Sequence, residues 1–190
     1  MAALAAMPPA APPDVLIVPG LGNSGPLHWQ THWERDLGWT RVRQGEWDAP
    51  VLADWLAGLD AAVRARGGPV VLAAHSLGCA LVAHWSAVAP PGAVAGALLV
   101  APADVDSPDH TPDEVRNFAP LPLRPLPFPA VVVASDDDPY LSVPRAVRFA
   151  EAWGARLERV GALGHINADS GLGAWDAGRR LLAEVGGPPV

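Results

Sequence analysis

Three polar side chains in this 190-residue chain have the types, order and settings to share one reaction. Ser76 stands in Ala74-His75-Ser76-Leu77-Gly78, between a short apolar run and a helix-like stretch. Asp138 stands in Ser135-Asp136-Asp137-Asp138-Pro139-Tyr140, and His165 in Gly164-His165-Ile166-Asn167. A serine hydroxyl is a weak nucleophile. It becomes effective when a histidine takes its proton, a carboxylate orients that histidine, and N–H donors receive the negative oxygen that develops on the attacked carbonyl. The order serine, acid, histidine is the one found in hydrolases whose serine stands on such a strand-to-helix turn. A serine on a sharp strand-to-helix turn needs small neighbours, because strand and helix approach closely there. Gly78 meets that need, and Ala74 stands where glycine is usual. Pro139 disfavours helical backbone at Asp138, and Gly164 allows a tight turn before His165. Two backbone N–H groups are candidates for the oxyanion hole. They are Leu77, directly after the serine, and Leu21, in the loop Gly20-Leu21-Gly22-Asn23-Ser24-Gly25-Pro26.

The same residues admit other chemistry. Gly20-x-Gly22-x-x-Gly25 after a strand also spells a dinucleotide fingerprint, which would make the chain an NAD(P)-dependent oxidoreductase. Pro26 stands where the phosphate-binding helix should already run, and neither Glu46 nor Asp48 clearly ends a strand. His28 and His32 lie one helical turn apart, as zinc ligands do, but Trp29 occupies the position where a metalloprotease places glutamate. The expectation is no metal and no cofactor. Asp136 and Asp137 read as a solvated acidic loop. His75 is too close to Ser76 in the chain to act as its base.

Elements must carry these residues to one place. Short Val-rich runs over 14–19, 69–74, 97–101 and 131–135 read as buried strands, with further strands over 39–44 and 156–160. Apolar residues at helical spacing mark helices over 28–37, 51–66, 80–85, 143–153 and 174–185. Strands alternating with helices predict an α/β fold, a mostly parallel sheet of about six strands with helices on both faces. Ligands of such sheets bind at the carboxyl ends of the strands, where Gly20, Ser76, Asp138 and His165 all fall. The Pro-rich segment over 102–129 reads as a surface excursion with one short helix near 111–118, and the acyl pocket is expected beneath it.

The chain suits one domain, expected over 14–187, behind a disordered Ala/Pro-rich tail over 1–13. Half the residues are apolar and 17% are charged, a globular balance. The net charge is −7, and lysine is absent. That excludes a basic surface for nucleic acid or anionic membrane. The single cysteine, Cys79, excludes an internal disulfide and a cysteine-based zinc cluster. No apolar run is long enough to span a bilayer, and a cytoplasmic protein is expected. Oligomeric state is open.

The chain resembles the small serine hydrolases related to retinoblastoma-binding protein nine and the bacterial YdeN proteins, within the α/β-hydrolase fold. The matching pieces are Pro19 to Ser24 with His28-Trp29, Ala74 to Gly78, Val100 to Ala103, Ser135-x-x-Asp138-Pro139-Tyr140 and Gly164 to Asn167. The resemblance implies Ser76 as nucleophile, Asp138 as acid and His165 as base. It also implies a sheet without the fold's usual leading antiparallel strands, and it places His28 and Trp29 beside the oxyanion loop as possible pocket residues. The expected activity is hydrolysis of a small or medium acyl ester through an acyl-enzyme. Besides the oxidoreductase, a non-catalytic interaction module remains as an alternative.

Overall fold

Short apolar runs form the strands of this computed structural model, which describes residues 12–190. The tail expected over 1–13 lies, apart from residues 12 and 13, outside the described residues. The strands are β1 (Asp14–Val18), β2 (Thr40–Arg41), β3 (Val70–His75), β4 (Val94–Val100), β5 (Ala130–Ala134) and β6 (Arg156–Arg159). They form one sheet in the order β2-β1-β3-β4-β5-β6, and every neighbouring pair is parallel. Among the described residues the sheet is thus wholly parallel, with no leading antiparallel strand.

Side chains alternate across the sheet with a period of two. Leu16, Val18, Leu72 and Ala74 face one side, where they pack with residues of α2 (Leu52–Arg64), α3 (Leu77–Trp85) and α4 (Val143–Trp153). Val15, Ile17, Val71 and Ala73 face the other, with Trp29 and Trp33 of α1 (Trp29–Leu37) and Leu182 of α5 (Asp176–Glu184). Both faces being covered, every residue of β3 is buried. This is why the run reads as unbroken apolar sequence rather than an alternation.

Two elements differ from expectation. The strand expected over 39–44 pairs only at Thr40 and Arg41, and the Arg41 side chain turns inward to bond Glu34 and the loop after β1. The Pro-rich segment is only partly a surface excursion. It carries a 3-10 helix at Asp113–Phe118, and Val105, Val115, Phe118, Leu121 and Phe128 are buried in the core. Trp153 donates its indole N–H to Pro122 O at 2.8 Å, which pins the segment to α4.

The chain runs from β1 outward to β2, then crosses back to β3 on the other side of β1. The direction reverses between β1 and β3, and a crevice opens at their carboxyl ends. The loop after β1 and the turn after β3 meet there.

Candidate active site

The turn after β3 is built from backbone contact. Ser76 adopts φ 54° and ψ −121°, a region that a side-chain-bearing residue enters only under constraint. The constraint is close packing against β1. A Cβ at Gly78 would collide with the Val18 carbonyl oxygen and stand 2.7 Å from that of Pro19. A Cβ at Gly20 would stand 2.8 Å from Ser76 Cβ. The two glycines let the β1 loop lie directly on the turn, which lifts Ser76 Oγ out of the sheet.

The Asp138 side chain is fully buried. Its Oδ1 accepts the N–H of Tyr140 at 2.9 Å, closing the turn on which it sits. The carboxylate oxygens lie 2.9 and 3.0 Å from His165 Nδ1. A carboxylate only accepts, so Nδ1 carries the proton. The other nitrogen, Nε2, lies 2.8 Å from Ser76 Oγ and receives its hydroxyl proton as a hydrogen bond. The three side chains expected to meet therefore do so, in one continuous line of hydrogen bonds.

The His165 loop is fastened by groups that sequence reasoning assigned no role. Asp137 accepts the Gly164 N–H at 2.7 Å and the Ser135 hydroxyl at 2.7 Å, and Ser135 Oγ in turn accepts the Leu163 N–H at 2.8 Å. The Ser135 and Gly164 bonds hold the Asp137 carboxyl below the usual range. Asp137 is thus a brace for the loop rather than merely part of a solvated acidic run. Asp136 matches the solvated picture, as an exposed ion pair with Arg159. His75 Nε2 lies 2.9 Å from His165 O, and a carbonyl only accepts, so His75 donates. Burial, first, and the neighbouring His165 and His28 push its pKa well below the ordinary value, so it stays neutral. Trp29 donates its indole N–H to Ile166 O at 2.9 Å. It lies behind the cavity and does not line it.

The loop after β1 is held from below. Gln30, fully buried, donates to Val18 O and Ala73 O and accepts the Ser24 hydroxyl. Arg41, also buried, donates to Asn23 Oδ1, Ser24 O and Thr31 Oγ1 and pairs with Glu34. Among the described residues the N–H groups of Leu21 and Leu77 donate to no protein acceptor, and both residues line the cavity at Ser76. That cavity has a volume of about 300 Å³. Ala103, Thr111, Pro112 and Val115 form part of its wall, so only the first part of the Pro-rich segment covers it.

His28 caps α1, its Nδ1 accepting the Gln30 N–H at 3.1 Å, and it lines the cavity. Burial, then the Arg41 charge and His165, lower its pKa to about 3. His32 instead lies beside Arg35 and Asp36. Among the described residues no group of three His, Cys, Asp or Glu side chains could hold a metal. The glycine loop does not open a helix either. Helix α1 starts only at Trp29, and a Cβ at Gly25 would meet nothing. The third glycine of a dinucleotide fingerprint is there to let helix and strand pack closely, and Gly25 has no such task.

A parallel sheet bearing a strained serine turn on its third strand, with helices on both faces, is the α/β-hydrolase fold. A family model described as Serine hydrolase matches residues 15–184, and the chain belongs to that family. Its type is that of the small YdeN hydrolases. A protein described as a YdeN-like hydrolase from Pectobacterium atrosepticum is 36% identical, with 92% of each chain covered and a TM-score of 0.80. The ydeN product of B. subtilis is 20% identical over 91% of this chain and 98% of that one, with a TM-score of 0.71. Est1E from Butyrivibrio proteoclasticus shares the fold at 15% identity, covering 93% of this chain and 89% of that one, with a TM-score of 0.70. No protein of curated function matches. No helix among the described residues is long and apolar enough to cross a membrane.

Proposed function

We propose that the protein is a carboxylic ester hydrolase that works through an acyl-enzyme on Ser76. The reading is carried by the unbroken line from Ser76 Oγ through His165 to the buried Asp138, opening on one cavity. Ser76 Oγ forms a bond to the ester carbonyl carbon as its proton passes to His165 Nε2. The carbonyl oxygen, now negative, is held by the N–H groups of Leu21 and Leu77. The bond from carbon to the leaving oxygen then breaks, and His165 gives that oxygen its proton. A water next loses a proton to His165 and attacks the acyl carbon. Ser76 departs and regains the proton from His165. Asp138 holds the histidine tautomer throughout and stabilises the imidazolium.

A cavity of about 300 Å³ is at the small end for ligand sites, which supports small or medium acyl groups. A cytoplasmic setting suits a chain whose one cysteine is free and buried, and a small acyl substrate rather than nucleic acid suits a net charge of −7 with no lysine. Wild-type protein is expected to be labelled by a fluorophosphonate probe and to cleave short nitrophenyl esters. Ser76→Ala is expected to lose the label and at least about 10³-fold in kcat. Equal labelling of the two proteins overturns the proposal.

A further inference from the structure

The mechanism above makes two different demands on His165. In the free enzyme its ring is tied at both nitrogens, Nδ1 to Asp138 and Nε2 to Ser76. Once Ser76 carries an acyl group, its Oγ is an ester oxygen without a proton and can no longer donate to Nε2. The ring is then tied at Nδ1 alone, yet Nε2 must now hold the attacking water in reach of the acyl carbon. Contacts on the surface of the ring have to keep it from tilting.

Two neighbouring rings supply such contacts. His75 lies 4.8 Å away between centroids. Tyr140, the one tyrosine of the chain, lies 4.6 Å away with the ring planes at 67°. That spacing and tilt are those of an edge-to-face aromatic pair. Tyr140 lines the cavity and is 40% exposed, whereas the His165 side chain it packs on is only 9% exposed. Tyr140 packs into neither of the two apolar cores, so its contact serves the site rather than the core. The Tyr140 backbone is held on both sides. Its N–H donates to Asp138 Oδ1 at 2.9 Å, and its carbonyl accepts the Asp104 N–H at 3.1 Å. Asp104 is itself buried in a two-pronged ion pair with Arg145, at 2.7 Å for each contact. Asp138 and Tyr140 thus form one unit, the first holding His165 by hydrogen bonds and the second by its ring.

We propose that Tyr140 is a positioning residue for the second half of the reaction, its ring keeping the His165 imidazole in line while Ser76 carries the acyl group. The proposal rests on the ester-hydrolase reading and deepens it. The test resolves the two steps with 4-nitrophenyl acetate in single turnover. Release of nitrophenolate gives acylation, and the intact mass of the quenched protein gives the rise and decay of acetyl-Ser76. Tyr140→Ala is expected to slow deacylation about tenfold, as the loss of one aromatic contact can, and to leave acylation nearly unchanged. It should accumulate more acetyl-Ser76 than wild type, and in the steady state kcat should fall more than kcat/KM. Tyr140→Phe keeps the ring and should behave as wild type. Tyr140→Leu fills part of the space without a ring, should slow deacylation less than alanine does, and decides the matter should Tyr140→Ala not fold. Equal slowing of both steps in a variant that melts cooperatively overturns the proposal. So does a raised KM with deacylation unchanged, or a variant that accumulates no more acetyl-Ser76 than wild type. Those outcomes leave the ester-hydrolase reading standing. A wild type that cleaves no ester and takes no fluorophosphonate label at Ser76 overturns that reading and the role of Tyr140 with it.

Discussion

The turn that carries Ser76 and the loop that carries His165 are held by different forces. Around Ser76, residues 70–75 and 77–83 are all buried, and the constraint is backbone against backbone, Gly78 on Val18 and Pro19, Gly20 on Ser76. Around His165, residues 161–165 are only partly buried or exposed. The constraint there is a set of hydrogen bonds from side chains of other elements: Ser135, Asp137, His75 and Trp29. Close packing is unforgiving, since a well-packed core resists any added volume. Hydrogen bonds at a surface each contribute modestly and share the task. Ser76 is therefore fixed by the core, and His165 is held by bonds that can be loosened one at a time.

Substitutions should separate the two halves. The largest effect is expected from Gly78→Ala. In an exposed helix that change stabilises by about 1 kcal/mol. Here the new methyl meets backbone that cannot move aside, and a net loss of about 3 kcal/mol or more is expected, read as a lowered midpoint in urea. A neutral result would mean that the turn has slack.

The next effect concerns pH. His28 is protonated below about 6.5 when unfolded but only below about 3 when folded. Between those values the unfolded state binds the proton, so stability falls as pH falls. At pH 5 the deficit from His28 alone is about 2 kcal/mol, and His75 acts in the same direction. The melting temperature should drop from pH 7 to pH 5, and His28→Asn should flatten that drop. An equally steep drop in the variant would put the acid sensitivity elsewhere.

The smallest effect belongs to the histidine loop. Asp137→Ala should lower kcat about tenfold, with KM nearly unchanged, because it positions His165 and touches no substrate. The Asp137 pKa is depressed in the folded protein. Its contribution is therefore present above its unfolded value and is lost as pH falls through the folded one. A fall confined to KM would assign Asp137 to binding instead.

Ser76 and Asp138 were legible because each has a reactive type and stands just after an apolar run, and His165 because it lies in the loop after the last strand, Arg156–Arg159. Strand ends of a parallel sheet converge on one edge whatever the details of packing. The elements were legible from the same runs. Fusing the 102–129 segment into the core was not. Its buried Val105, Val115, Phe118, Leu121 and Phe128 have no regular spacing, and their burial depends on α2, α3 and α4 already being in place. Nor were the braces legible. Asp137, Gln30, Arg41 and His75 look like ordinary polar residues, and what they do depends on partners that in several cases lie tens of positions away, such as Ala73 O for Gln30 and His165 O for His75.

Local composition alone determined where the Val-rich central strands run and which reactive side chains follow them, since burial on two faces writes itself into each segment separately. The tertiary structure alone decided which polar groups are paired and which, among them His28 Nε2, are left without a partner in the protein. Hydrogen bonding between distant residues is a property of the assembled space, and no segment carries it by itself.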